Sequence, residues 1–475
     1  MNSVRQVFGV DAKSLRHAIA LLSERQWLFD DLVRELAAPR RTVEELLQAL
    51  GDDLERDGDR VRLRPDTAGA YREHAGSPHA TDGLAKEVER HIAHVPPPLP
   101  ALDHVQATAD TVVRRARWLD EHYDLRTTRL TFLGDHDLTS LAVRAVRPEA
   151  DLTVIDVDDR ILDYVDRQSS RTIHTVHADL RFGLPLSVMG KADVVFSDPP
   201  YTPEGMALFA TRGLECLADP PAGRLVLAYG YSPRHPALGH RTQRALIGLG
   251  LAFESIVPGF HRYSGAQAIG SAADLYVCQP TTKARKGGRK TSKQTIYTRG
   301  AQSLEAGETT PELLEALRGL AGQNGLRVEE RGADWTKPVA TKPGTAVAVD
   351  LGADPGPWLL RILLGVNADR VAVLLPNSHP DLVDAAAQRA LTGLIAPKYR
   401  LRLLRSTPDN THAVVVAEPP ASATGNTDAA ARAVLTRAHA RLGNIWPEAP
   451  DDVADQRLID LPRHRVAEVR TELGD

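Results

Sequence analysis

The chain has 475 residues, of which 42% are hydrophobic and 25% are charged, and its formal net charge is −4. This length predicts two or three domains, and the charge gives no global signature of nucleic-acid binding. Two cysteines, Cys216 and Cys278, are too few for a disulfide scaffold and predict buried, reduced thiols. The sequence shows no membrane-spanning apolar run and no signal-peptide core, so we expect a cytoplasmic protein without a membrane partner.

Residues 1–92 predict a winged-helix-like domain. Three amphipathic helical segments precede a hairpin around Asp57-Gly58. Contact between the third helix and DNA is one interpretation. However, Glu44 and Glu45 near the start of that helix favour a structural or dimerising role, so a homodimer is possible and a nucleic-acid partner is not expected. The proline-rich stretch from His91 to Pro100 predicts a stiff spacer and a domain boundary.

The stretch from Leu130 to Tyr201 predicts the centre of a doubly wound α/β domain. It contains short apolar, β-branched runs, each followed by an acidic residue. Buried parallel strands have this pattern, and ligands bind at their carboxyl ends. The predicted elements are strands at Thr131–Leu133, Thr153–Ile155, Thr175–His177, Val194–Phe196 and Arg224–Ala228, and a helix at Leu138–Val146. With a closing antiparallel pair, residues 100–281 would form a Rossmann-like, class I methyltransferase-type domain.

Two residues of this domain predict an adenosyl site. Gly134 ends the first strand, where a tight turn lets the backbone approach a ligand. Asp156 follows about twenty residues later, where such folds place the carboxylate that binds a ribose. Gln106 and Thr108, at the start of the preceding helix, are expected to face the same cleft, with simple helix capping as the alternative.

The fourth strand ends in Asp198-Pro199-Pro200-Tyr201, which predicts a site for an amine nucleophile. The prolines have no backbone N–H, so the carbonyls around Asp198 stay free to accept hydrogen bonds. An amine could donate its hydrogens there and direct its lone pair at an electrophilic carbon. Tyr201 would form a wall of the pocket and contact a cation. An ordinary proline-rich surface turn is the alternative.

Residues 294–475 predict a degenerate Rossmann-like α/β domain with a helical tail. The segment VDLGADPG reads as a second adenosyl loop, with Asp350, Gly352 and Gly356 in suitable places. The following strand, however, ends in Pro376-Asn377 without a ribose carboxylate. We therefore expect a scaffolding role, with an independent second active site as the alternative. The basic segment 281–293 predicts a solvated spacer.

The segments LDHVQATADTVVRRARWL, FLGDHDLTSLA, VIDVDDRIL and VVFSDPPYTPEG resemble the branched-chain polyamine synthases, the bis(aminopropyl)spermidine synthase family. The resemblance covers about residues 1–280. It implies a winged helix joined to a Rossmann-type domain, and aminopropyl transfer from decarboxylated S-adenosylmethionine to an amine of a polyamine such as spermidine. The family turn is usually Gly-Asp-Asp-Asp, whereas this chain has Gly134-Asp135-His136-Asp137. The histidine would change which amine fits, or admit a donor that keeps its carboxylate.

Cationic substrates predict a pocket that is rich in acids and poor in lysine and arginine. The predicted strand ends supply such acids, and the same turns contain no basic residue before Arg160. The acids are Asp135, Asp137, Asp156, Asp158, Asp179, Asp198 and Glu204.

We predict an in-line displacement at the carbon next to the sulfonium. Asp198 would orient and deprotonate the amine, and Asp135 or Asp137 would bind the charged propylamine. Asp156 would hold the ribose and Asp179 the adenine amino group. The remaining predicted substrate contacts are His136, Glu204, Pro199 and Pro200, and no metal is expected. Two alternatives stay open: an S-adenosylmethionine-dependent methyltransferase of a nucleobase or small amine, and a DNA-binding regulator that senses a polyamine or adenosyl ligand.

Overall fold

The computed structural model describes residues 12–36, 38–75, 83–265, 270–284, 295–298, 303, 305, 309–420 and 426–474. Each helix within these ranges is too short or too polar to cross a membrane. Most of the predicted basic spacer at 281–293 lies outside the described residues.

The N-terminal unit is a small helical unit with a three-stranded antiparallel sheet of order β1-β3-β2. Its elements are α1 Ala12–Glu24, β1 Trp27–Leu28, α2 Phe29–Leu36, α3 Arg40–Leu50, β2 Leu54–Asp57, β3 Arg60–Leu63 and α4 Pro65–Ala75. Gly58, between β2 and β3, has a φ of 58°, which suits the hairpin predicted there. On α3, Arg40 and Arg41 form ion pairs with Glu44 and Glu45, so this helix presents a charge-balanced surface.

The helix α5 (Leu84–His94) belongs with the central unit. Its Leu84 and Val88 are buried in the same core as the central strands, and His91 Nδ1 lies 3.0 Å from the Tyr164 hydroxyl. The predicted division into 1–92 and 100–281 is therefore wrong for this helix. The apolar face of this helix must be buried, and it packs against the core of the central unit.

The central unit is a seven-stranded sheet of order β6-β5-β4-β7-β8-β10-β9. The first five strands in this order are parallel, and β10 pairs antiparallel with both β8 and β9. The elements are α6 Ala109–His122, β4 Arg129–Leu133, α7 Thr139–Val146, β5 Asp151–Asp156, α8 Asp159–Gln168, β6 His174–His177, β7 Val194–Ser197, α9 Pro203–Cys216, β8 Arg224–Tyr229, α10 Pro236–Gly248, β9 Leu251–Arg262 and β10 Ala272–Pro280. The predicted strands and their closing antiparallel pair are all present.

Alternation along the strands explains why this sheet is covered on both faces. Phe132 points into one buried cluster and its neighbour Leu133 into another, as do Val154 and Ile155 on the next strand. Successive residues of a strand face opposite sides, so a continuous apolar run is stable only between two layers of helices. The mixed α/β, Rossmann-like architecture follows from this pattern.

The C-terminal unit has a five-stranded mixed sheet of order β11-β13-β15-β17-β16. Strands β11, β13 and β15 are parallel, and β17 runs antiparallel to β15 and β16. The elements are α11 Pro311–Ala321, β11 Arg327–Arg331, β12 Val339–Ala340, β13 Thr345–Asp350, α12 Trp358–Gly365, β14 Val366–Asn367, β15 Arg370–Pro376, α13 Ala385–Ile395, β16 Arg400–Leu404, β17 His412–Glu418, α14 Asn426–Thr436, α15 Asp451–Ala454 and α16 Arg463–Glu472. Its core includes Leu208 and Ile296 and contacts Phe182, so it packs directly on the central unit.

Candidate active site

A cavity of about 560 Å³ lies at the carboxyl ends of β4, β5, β6 and β7. This is the edge at which parallel α/β sheets bind ligands. The turns after the four strands bring ten of the predicted site residues to its wall: Gly134, Asp135, His136, Asp137, Asp156, Asp179, Asp198, Pro199, Pro200 and Tyr201.

Four predicted residues, Gln106, Thr108, Asp158 and Glu204, are not among the described residues of the cavity wall. The Asp158 carboxylate caps α8 by accepting from the Arg160 N–H and pairs with the Arg160 guanidinium. The Thr108 side chain caps α6 by accepting from the Thr111 N–H, so the capping alternative is the right one. Gln106 donates to the Asp137 carboxylate at 3.3 Å and so helps to hold the turn after β4. Glu204 is exposed in the first turn of α9, where the positive end of the helix dipole stabilises a carboxylate.

Arg115 on α6 corrects the prediction of an arginine-poor pocket. Its side chain is fully buried, and its guanidinium donates to Asp137 Oδ2 at 2.8 Å and to Asp198 Oδ2 at 2.5 Å. Arg115 lies on a helix and not in the turns after the strands, to which the prediction of few basic residues applied. The signal was present on α6 itself, since Arg115 lies among the buried Val112, Ala116 and Leu119.

Two tyrosines and Arg115 hold the Asp198 carboxylate. The Tyr201 hydroxyl donates to Oδ1 at 2.9 Å, and the Tyr263 hydroxyl donates to Oδ2 at 2.8 Å. Tyr263 follows β9 and was not singled out from the sequence. Burial raises the pKa of Asp198, and the charge of Arg115 opposes that rise. The result is an oriented carboxyl group facing the cavity.

The turn after β4 is built by two buried aspartates. Asp156 accepts from the backbone N–H of Asp135 at 2.9 Å and of Asp158 at 2.8 Å, while Asp135 accepts from the Ser140 hydroxyl at 2.5 Å at the start of α7. Burial raises the pKa of Asp135 to about 8 and that of Asp156 to about 6. Gly134 has a φ of 72°, which favours glycine and lets the turn bend toward the cavity.

Two stacked histidines, His104 and His136, form part of the cavity wall. Their ring centroids are 4.7 Å apart at an interplanar angle of 20°. Among the described residues, neither ring nitrogen of His136 has a hydrogen-bond partner. Burial lowers the pKa of both rings, so both are neutral at pH 7. His104 was not singled out from the sequence, although it lies in a segment that carries the family resemblance.

Asp179, the predicted contact of the adenine amino group, is paired within the protein. Arg181 donates to its two carboxylate oxygens at 2.7 and 3.1 Å. The Arg181 guanidinium also lies 5.5 Å from the Tyr297 ring and 5.0 Å from the Trp358 ring. Arg181 and Tyr297 both line the cavity, so this end presents an ion pair beside an aromatic wall.

The cavity suits a cationic ligand. Among its described lining residues are six aspartates against two arginines, an excess of four negative charges when all are ionised. Low-dielectric surroundings strengthen the attraction of such a site for cations. In the described part of the chain, no three or more His, Cys, Asp or Glu side chains converge as a metal site would require.

Comparisons with known proteins give a consistent picture. Residues 84–299 match the family model of the branched-chain polyamine synthase A C-terminal domain. An uncharacterised protein of Methanocaldococcus jannaschii is 34% identical over 171 residues, covering 35% of this chain and 43% of that protein. The N(4)-bis(aminopropyl)spermidine synthase of Thermococcus kodakarensis is 28% identical over 175 residues, covering 35% of this chain and 49% of that protein. The chain thus spans about half the length of the curated relatives it matches.

Among solved structures, the branched-chain polyamine synthase of Thermus thermophilus in complex with N4-aminopropylspermidine and 5'-methylthioadenosine is 20% identical. The match covers 62% of this chain and 97% of that chain, with a TM-score of 0.38.

Proposed function

We propose that this chain is an aminopropyltransferase, because residues 84–299 match the family model of the branched-chain polyamine synthase A C-terminal domain. Its donor is decarboxylated S-adenosylmethionine, and its acceptor is an amine of a polyamine such as spermidine. The observation that carries the proposal is the anionic cavity, where an oriented Asp198 lies near the turn of Gly134 and Asp156. A family match alone would leave the reaction open, whereas this geometry fits a cationic donor and a cationic acceptor.

In the proposed donor complex, Asp156 binds the ribose hydroxyls. Each of its carboxylate oxygens accepts one backbone N–H and keeps a lone pair for a ligand. Adenine lies toward the Asp179–Arg181 pair, beside Tyr297. Gly134 lets the backbone approach the donor.

In the proposed reaction, the acceptor nitrogen forms a bond to the propyl carbon attached to sulfur. The carbon–sulfur bond breaks, its electron pair stays on sulfur, and 5'-methylthioadenosine leaves. Asp198 orients the amine and takes its proton, which burial favours because it raises the pKa of this carboxyl. Positioning supplies most of the rate, and the base contributes about 10²–10⁴-fold.

The negative charge of the cavity supports the assignment of decarboxylated S-adenosylmethionine as the donor. Arg115 and Arg181, the arginines of the wall, are both ion-paired to aspartates. The stacked His104 and His136 are neutral and supply no positive charge. A donor that retains its carboxylate would therefore bring a negative charge to an already anionic cavity.

The flanking units have supporting roles in this proposal. The N-terminal unit is a winged-helix-type domain with a structural role, which the ion-paired surface of α3 supports. The C-terminal unit is a degenerate Rossmann-like domain without a donor site of its own. The expected homodimer and cytoplasmic location stay predictions from the sequence.

The test is to incubate the full chain with decarboxylated or ordinary S-adenosylmethionine and a panel of polyamines, and to measure product mass. We expect a gain of one or more aminopropyl units with the decarboxylated donor only. Methylated products would assign a methyltransferase instead, and a larger gain that retains the carboxylate would overturn the donor assignment. Absence of product with every pair would contradict an enzymatic role.

A further inference from the structure

The helix α12 connects the C-terminal unit to the donor end of the cavity. All of its residues, Trp358–Gly365, are buried. Two of its long side chains extend toward the central unit, Trp358 to Arg181 and Phe182 and Arg361 to His177 and Asp159. This helix lies outside the matched range 84–299, so the family comparison gives it no role.

Arg361 makes polar contacts on both sides of the interface between the two units. Its side chain is fully buried, with Nε 2.9 Å from His177 Nδ1 and Nη2 2.9 Å from Asp159 Oδ1. Nη2 also donates to the Leu461 carbonyl at 3.0 Å. A buried arginine with this set of partners holds the elements it touches in one relative position, because losing any contact leaves a desolvated polar group.

The contacts of Arg361 lie directly behind the proposed ribose site. His177 is the partner of Asp156 in the register between β6 and β5. Asp159 begins α8 immediately after Asp158, whose backbone N–H donates to Asp156 Oδ1 at 2.8 Å. A shift of Arg361 would therefore act on the strand neighbour of Asp156 and on the start of α8, next to the Asp158 N–H that binds the Asp156 carboxylate.

Trp358 packs beside the proposed adenine position, at the same donor end of the cavity. Its ring lies 5.0 Å from the guanidinium of Arg181, which pairs with Asp179 and lies 3.5 Å from Glu305. Arg181 and Asp179 both line the cavity. One helix thus contacts the residues behind the ribose acid and the residues beside the proposed adenine position.

We propose that α12 is a positioning element for donor binding, and that Arg361 is its positioning residue. The proposal rests on the proposed function only for the identity of the donor. It assigns a role to the C-terminal unit beyond scaffolding: its helix α12 determines donor affinity without touching the donor. The acceptor side, around Asp198 and Tyr263, has no direct contact with Arg361 or Trp358 in the described structure, so acceptor binding is not affected.

The test compares two buried arginines of the C-terminal unit in the full chain. Arg361→Met removes the contact with the central unit, whereas Arg370→Met removes the Arg370–Glu418 ion pair within the C-terminal sheet. Affinity for 5'-methylthioadenosine is measured by calorimetry, and KM for spermidine and the melting temperature are measured in parallel. We expect Arg361→Met to weaken methylthioadenosine binding by about ten- to hundredfold. Both variants lower the melting temperature, but Arg370→Met keeps the affinity, and neither raises KM for spermidine.

Two further variants keep the proposal testable if Arg361→Met does not fold. Arg361→Lys keeps the charge and should recover part of the affinity, and Trp358→Phe should weaken methylthioadenosine binding without loss of folding. Equal weakening by Arg361→Met and Arg370→Met, or unchanged affinity in Arg361→Met or Trp358→Phe, overturns the proposal. A wild-type chain that does not bind methylthioadenosine also overturns it. A wild-type chain that binds this ligand but forms no product contradicts the proposed function alone.

Discussion

The central and C-terminal units contain the same strand–turn–helix arrangement, and the turn of the central unit lines the cavity. After β4, Asp135 caps α7 through Ser140, and the neighbouring His136 and Asp137 reach the cavity wall. After β13, Asp354 accepts from the backbone N–H groups of Gly356, Trp358 and Leu359 and contacts His379 at 2.8 Å. The second turn is therefore filled by its own chain.

The next strand explains the remaining difference between the two turns. Strand β5 ends in Asp156, whereas β15 ends in Pro376 and is followed by Asn377. The Asn377 amide donates to the Asn410 carbonyl at 2.7 Å, so it serves a loop rather than a ligand. The C-terminal turn therefore lacks the carboxylate that Asp156 supplies to the proposed donor site.

The strongest test of this contrast is Asp198→Asn, which changes the proposed base at the amine site of the central unit. We expect turnover to fall by about 10²–10⁴-fold, because the amide cannot take the proton of the amine. Methylthioadenosine affinity should stay unchanged, since Asp198 lies at the acceptor side. The matched control is Asp193→Asn, which removes the ion pair with Arg129 at the other end of β7. Near-normal turnover in Asp198→Asn would disprove its assignment.

Arg115→Met tests whether the arginine balances the acids of the cavity. Removing it leaves Asp137 and Asp198 buried without their positive partner, so we expect a loss of about 3–5 kcal/mol in the free energy of unfolding. Denaturant titration measures this change. Arg129→Met is the control, because its half-exposed pair with Asp193 should contribute at most about 1 kcal/mol. Equal losses in the two variants would show that Arg115 has no special role.

Asp156→Asn and Asn377→Asp compare the two turns directly. The first replaces the proposed ribose carboxylate by a neutral amide, and we expect about ten- to hundredfold weaker methylthioadenosine binding from the lost charged hydrogen bonds. The second adds a carboxylate to the C-terminal turn and should create no new site, because that turn is filled. Equilibrium dialysis gives affinity and stoichiometry together. A second bound ligand in Asn377→Asp would show that the C-terminal turn is a usable site.

The pH dependence of donor binding is a smaller effect with a defined sign. Burial raises the pKa of Asp135 to about 8 and that of Asp156 to about 6, so the native protein keeps protons that the unfolded chain has released above pH about 4. The unfolding free energy of the ligand-free protein therefore falls as pH rises through about 4 to 8. A cationic donor favours the ionised carboxylates, and its affinity should rise between pH 6 and 8, by at most about tenfold per pH unit for each proton released.

Calorimetry in buffers of different ionisation enthalpy measures both the affinity and the released protons. Asp135→Asn should flatten the part of the profile near pH 8. An affinity for the cationic donor that does not change with pH in the wild-type chain would contradict the assignment of these carboxyls to the donor site.

Local sequence patterns were sufficient to predict the sheet and ten of the residues that line the cavity. Strands such as Arg129–Leu133 and Val194–Ser197 are apolar, β-branched runs, and buried parallel strands have this composition wherever they occur. Their carboxyl ends meet at one edge, so Gly134, Asp156 and Asp198 could be placed together from the order of the elements. Because the acid expected after β15 is missing, the sequence predicts a scaffolding role for the C-terminal turn, with a second active site as the alternative.

Only the tertiary structure determined the charge balance and the supports of the site. Arg115, His104 and Tyr263 come from a helix, a loop and a strand end outside the four turns, and Arg361 comes from another unit. The end of a strand can be predicted from the residues that follow it in the sequence. The ion pair between Arg115 and Asp198 cannot, because it depends on how a helix packs across the sheet. The same reason explains Thr108, whose side chain caps its helix, and Glu204, which is exposed in the first turn of its helix.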